Sequence, residues 1–129
     1  MNLAQGMYRR SAGPLAQPAS DPHEIVAVTL RQLLRSLQVL EAAQRNGHPF
    51  KSDVLNRALT AIFILQSSLD FERGGQIAQE LFALYEFCRH HVFKAWRGEE
   101  GARLEEAVFA MSEILEAWEA IGAQARKSA

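Results

Sequence analysis

The sequence is poor in the residues that cross-link a fold or break its helices. One of its 129 residues is a cysteine, Cys88, and none of its four prolines lies beyond Pro49. A lone cysteine forms no internal disulfide and is typical of a reducing compartment such as the cytosol. The lack of later prolines leaves residues 50–129 free of the strongest helix breaker. The chain must therefore fold through its apolar residues, which make up 48% of it.

A large net charge and long apolar runs are also lacking. The formal net charge is −1, whereas nucleic-acid binders usually carry a basic patch and a high pI. Apolar runs such as residues 61–65 fall far short of the ~20 residues that a membrane span needs. Residues 1–20 contain no apolar stretch of the kind found in secretory signals. We therefore predict no nucleic-acid partner, no membrane insertion and a cytosolic location.

Glycine and proline divide the chain into an N-terminal arm and four helical segments. Residues 1–20 hold two glycines, two prolines and no acid, which predicts a flexible arm. The first helix is predicted from an N-cap at Ser20 or Asp21 to a stop at Gly47. Further helices are predicted at about 52–72, 75–97 and 101–125, followed by a frayed tail at 126–129. The predicted fold is all-α, an antiparallel four-helix bundle over residues 21–125.

The spacing of the apolar residues supports helices, and these helices carry more apolar residues than a bundle usually buries. In the last segment, apolar residues recur at steps of four and three, at Leu104, Val108, Met111, Leu115 and Trp118. In the second and third segments the apolar arc is wider than the stripe that a bundle helix usually buries. A compact bundle that buries its helix flanks would account for most of these residues. The alternative is an exposed apolar groove formed by the second and third segments, which would mark an interaction site.

The polar residues do not form a recognisable catalytic or metal site. His90 and His91 are adjacent and would point about 100° apart on a helix, so we interpret them as an ordinary, partly exposed pair. Cys88 lies on the apolar stripe of its segment, as a small core residue does. We predict no catalytic residue, no metal and no cofactor. A metal-dependent or thiol enzyme stays as a weaker alternative.

One stretch of the sequence resembles a known signature. Residues 69–81 read LDFERGGQIAQEL and residues 84–87 read LYEF. They resemble the LDxExGGxIAxNLxxLYDYM signature of the FliS-type flagellar secretion chaperones. EAWEAI at 116–121 and PHEIV at 22–26 are similar to the closing helix and the helix start of that family. Tyr8 corresponds to its N-terminal tyrosine.

The resemblance implies a partner and a set of contact residues. It implies a cytosolic chaperone without catalysis that binds the C-terminal region of flagellin, prevents premature polymerisation and keeps flagellin export-competent. Export-apparatus components and a second copy of the chain are further candidate partners. A helical adaptor or homodimeric module without a flagellar client is the alternative function. The predicted partner-binding residues are Tyr8, Ile62, Leu65, Leu69, Ile77, Leu81, Leu84 and Tyr85.

Overall fold

The computed structural model describes residues 21–128, which form an antiparallel four-helix bundle. The helices are α1 (Pro22–Arg45), α2 (Ser52–Ser67), α3 (Phe71–Trp96) and α4 (Leu104–Ser128), and no strand occurs in this range. The predicted all-α bundle is confirmed. The predicted arm at 1–20, with Tyr8, lies outside the described residues. The division of the chain at residues 20 and 125 stays a prediction.

The ends of α1 follow from local sequence chemistry. The Asp21 carboxylate accepts a hydrogen bond of 2.7 Å from the backbone N–H of Glu24, and Pro22 occupies the first helical position. At the other end Gly47 has φ +69°, a left-handed conformation that glycine adopts without strain. There the backbone N–H of His48 donates to the Ala43 carbonyl at 2.8 Å. These contacts satisfy backbone groups that helix ends otherwise leave unpaired.

The second helix is shorter than predicted, and the third contains a kink. Helix α2 ends at Ser67 rather than near residue 72. Asp70 then starts α3, because its carboxylate accepts from the backbone N–H groups of Glu72 and Arg73, both at 3.1 Å. At Gly75 the backbone leaves helical geometry, with φ 50° and ψ −123°. The third helix was expected to begin at this kink, and the structure adds one capped turn before it.

The core lies between α1 and its neighbours. Helix α1 packs along both α2 and α4, whereas α3 packs less extensively against either α2 or α4. Cys88 is fully buried, as its position on the apolar stripe indicated. The core residues with at most 1% exposure include Leu30, Leu33, Leu37, Leu40, Ala58, Ile62, Leu65, Val92, Leu104, Ala107 and Met111.

One histidine of the adjacent pair belongs to the core, which corrects our interpretation of both as partly exposed. His91 is 4% exposed, and its Nδ1 accepts a hydrogen bond of 3.0 Å from the backbone N–H of Arg103. The ring thus satisfies a backbone donor next to the start of α4. Burial, followed by the nearby charge of Arg103, holds the pKa of His91 below its ordinary value. His90 remains exposed.

Candidate partner-binding groove

An apolar groove of about 510 Å³ opens between α3 and α4 at one end of the bundle. Helix α1 forms its floor, and the turn between α2 and α3 closes one end. We call this feature the apolar groove. Its apolar lining consists of Val26, Leu30, Leu69, Ile77, Ala78, Leu81, Tyr85, Ile114, Ala117, Trp118 and Ile121.

The two edges of the groove expose large aliphatic side chains. Ile77 on α3 is 68% exposed and Ile121 on α4 is 58% exposed. Leu69 and Leu81 are half-buried between the edge and the floor. Fully burying an aliphatic side chain of this size is worth roughly 1.5–3 kcal/mol. A partner that covered both edges would therefore gain substantial hydrophobic free energy.

The kink in α3 shapes the wall of the groove. Leu69 and Gly74 line it on one side of Gly75, and Ile77 and Ala78 line it on the other. A side chain at Gly74 would crowd Ala78, since an added Cβ would lie 2.9 Å from the Ala78 Cβ. Glycine at these two positions therefore permits both the change of helix direction and the close packing beside it.

His23 and Trp118 join α1 to α4 beside the groove. Their rings stack with centroids 4.4 Å apart and planes inclined by 7°. The Trp118 indole N–H donates to the His23 carbonyl at 2.9 Å, and His23 Nε2 donates to the Trp118 carbonyl at 2.9 Å. Gly122 lies so close that an added Cβ would collide with the His23 ring. The start of α1 is thereby held against α4.

Polar contacts fix α3 next to the groove residue Tyr85. Glu86 accepts from the Arg89 guanidinium at 2.8 Å and from the Gln66 amide at 2.9 Å, which links α3 to α2. The Arg89 bond, then the Gln66 bond, lowers the pKa of Glu86 to about 2. Burial, with a smaller effect of Cys88, raises the pKa of Tyr85 to about 12. The Tyr85 phenol is protonated at neutral pH, as an ordinary tyrosine is, and the shift moves its ionisation further from that range.

The seven predicted contact residues within the described range fall into three groups, and Tyr8 lies outside that range. Leu69, Ile77, Leu81 and Tyr85 come together in the lining of the groove. Leu84 is 38% exposed but does not belong to this lining. The remaining two, Ile62 and Leu65, are buried in the core at 0% and 1% exposure. These two side chains are enclosed within the bundle and do not present a surface to a partner.

The position of the groove differs from the sequence expectation. It was expected between the second and third segments, whereas α2 contributes no apolar residue to the lining. The opposite wall comes from α4, at Ile114, Ala117, Trp118 and Ile121. Sequence reasoning assigned Trp118 to a core stripe and overlooked Ile114. The EAWEAI stretch, which resembles the family's closing helix, was the signal that could have identified this wall.

The part of the chain that the structure describes contains neither a helix suited to cross a membrane nor a cluster of potential metal ligands. Within residues 21–128 no helix is long and apolar enough to cross a membrane. No group of three or more histidine, cysteine, aspartate or glutamate residues is arranged there to hold a metal ion.

Comparison with known proteins gives consistent matches. The family described as "Flagellar protein FliS" matches residues 7–125. The chain is 33% identical over 115 residues to the flagellar secretion chaperone FliS of Vibrio cholerae, covering 88% of this chain and 85% of that protein. It is 33% identical over 132 residues to the flagellar secretion chaperone FliS of Salmonella typhimurium, covering 97% and 96%. The flagellar secretion chaperone FliSB of Pseudomonas aeruginosa is 28% identical over 103 residues, covering 79% and 82%. No solved structure is a significant match.

Proposed function

Because the chain belongs to the FliS family of flagellar secretion chaperones, we propose that it binds the C-terminal region of flagellin in the cytosol. By covering that region it prevents premature polymerisation and keeps flagellin competent for export. The chain acts by binding alone, without a catalytic step or a cofactor. Its relatives carry the name of secretion chaperones, and the flagellin client and its C-terminal region are our proposal.

The observation that carries this proposal is the apolar groove. It has apolar walls on two helices, an apolar floor on a third, and exposed isoleucines at both edges. An amphipathic helix docks by laying its apolar face in such a groove. A contiguous exposed apolar surface of this kind is typical of an interaction site.

A client segment that folds on binding would also suit release. Ordering a disordered segment costs conformational free energy, which lowers the affinity for a given contact area. A long segment can still bind well, because it covers a large surface. The complex can thus persist before export and dissociate when the client unfolds again.

Co-expression tests the proposal. The chain is produced together with each flagellin of the same genome, with and without the last ~40 residues of the flagellin, a length that would form two or three average helices. We expect the full-length flagellin to co-purify and the truncated one to be lost. Equal recovery of both forms would contradict C-terminal recognition. A stable dimer of the chain that ignores every flagellin would favour a homodimeric module instead.

A further inference from the structure

Tyr85 carries a hydroxyl without a hydrogen-bond partner in a deeply buried position. The residue is 3% exposed, and no residue in the described range donates to or accepts from its oxygen. Every described side-chain nitrogen or oxygen that is fully shielded from solvent has a partner. The Tyr85 oxygen is therefore not fully shielded, and the open space next to this residue is the apolar groove that it lines.

Two other buried polar side chains, by contrast, have hydrogen-bond partners within the fold. The Thr29 hydroxyl donates to the Ile25 carbonyl at 2.8 Å, and His91 accepts from the backbone of Arg103. An unpaired polar group loses water when it is covered, which costs about 1–3 kcal/mol unless a new partner replaces that water. A segment that fills the groove therefore either binds more weakly by this free energy or supplies a hydrogen-bond partner for the Tyr85 hydroxyl.

We infer that the Tyr85 hydroxyl donates a hydrogen bond to the side-chain oxygen of an asparagine, glutamine, serine or threonine on the apolar face of the docked segment. This inference rests on the proposed function and specifies the type of residue that the docked segment carries opposite Tyr85. The docked helix should be apolar on its buried face except for one neutral polar residue opposite Tyr85.

The chemistry of the groove favours this type of group. Tyr85 can serve as a donor because a tyrosine phenol is protonated at neutral pH, and burial raises its pKa further, to about 12. A charged acceptor is disfavoured, since burying a charge among apolar side chains is more costly than burying a neutral polar group. Backbone carbonyls within a docked helix already accept bonds from their own helix. A neutral side-chain oxygen remains as the suitable acceptor.

Calorimetric titration tests the inference. The probe is the C-terminal segment of the flagellin that co-purifies, titrated into the full chain and into Tyr85→Phe. We expect Tyr85→Phe to bind about tenfold more weakly, the equivalent of one buried hydrogen bond. Its free energy of unfolding should be unchanged or higher, because the lost hydroxyl had no partner in the free chain.

Ser36→Ala is the matched control. Ser36 is 6% exposed and likewise has no partner among the described residues, but it does not line the groove. Its replacement should leave the affinity unchanged. An equal loss of affinity in both variants would overturn the inference, because the effect would then not belong to the groove.

The partner side provides an independent measurement. Each neutral polar residue of the flagellin segment is replaced by alanine in turn. One replacement should weaken binding to the natural chain about tenfold and have no further effect on Tyr85→Phe, as expected for two atoms of one bond. If no replacement shows this coupling, the inference is wrong even though the segment binds. If the segment does not bind the natural chain at all, the proposed function itself is contradicted.

Discussion

At the residue scale, we expect His91 to make the stability of the bundle depend on pH. Its neutral ring accepts the backbone N–H of Arg103, and a protonated ring would lose that acceptor. Burial, and then the nearby charge of Arg103, holds the pKa of His91 below the ordinary value of 6.5. Stability from this group is complete above that value and is lost as the pH falls from it through the lower pKa of the folded chain.

The prediction is a loss of unfolding free energy between pH 8 and pH 5 that depends on His91. Urea denaturation of the natural chain and of His91→Asn at both pH values measures it. Asparagine offers an acceptor that does not titrate, so the variant should lose less stability on acidification. An equal loss in both proteins would show that other groups cause the pH dependence.

Single residues also show where sequence reasoning reached its limit. Ile62 and Leu65 were predicted to contact a partner, and the structure buries both in the core. Ile77, with the same apolar character, is 68% exposed at the groove edge. Periodicity shows which residues share a face of a helix, but the helix that covers this face is set by tertiary packing. The His23–Trp118 contact spans 95 positions and has no local signal at all.

At the element scale, the helices were largely predictable and the entry to α3 was not. The bundle, the Asp21 cap and the Gly47 stop follow from local rules. The end of α2 at Ser67 was missed because residues 68–73 contain neither glycine nor proline. In this stretch the Asp70 side chain caps the start of a new helix, so α2 does not continue into it. The kink at Gly75 then sets the direction of the wall that carries Ile77.

Gly75→Ala tests the role of this kink. A φ of 50° with a ψ of −123° is unfavourable for any residue with a Cβ, so we expect a loss of about 1–3 kcal/mol in unfolding free energy. If the helix straightens to relieve the strain, the groove wall moves and the flagellin segment should bind more weakly. Urea denaturation and calorimetric titration measure the two effects.

Gly98→Ala serves as the control for backbone strain. Gly98 has φ +72° and nothing within 4 Å of an added Cβ, and it does not line the groove. We expect it to lose stability but to keep its affinity for the segment. Equal weakening of binding in both variants would mean that the kink has no specific role in the groove.

At the scale of the whole molecule, the fold opens an apolar groove at one end of the bundle. Helices α1, α2 and α4 build most of the core, and α3 leaves an opening toward α4. The signature at 69–87 identified the α3 wall of the groove from the sequence. The α4 wall could not be predicted in the same way. It depends on how the last helix packs against the others, and a single sequence does not determine that packing.

Two exposed apolar residues, one at the groove and one away from it, test whether the apolar groove is the client site. Ile77 is 68% exposed at the groove edge, and Phe63 is 61% exposed on α2 outside the groove lining. We measure the Kd of the flagellin C-terminal segment for Ile77→Asp and Phe63→Asp, after confirming by circular dichroism that both remain helical. We expect Ile77→Asp to weaken binding at least tenfold, since a docked helix would have to bury the carboxylate, and Phe63→Asp to have no effect. Unchanged binding by Ile77→Asp, or an equal loss in Phe63→Asp, would contradict the assignment of the apolar groove as the client site.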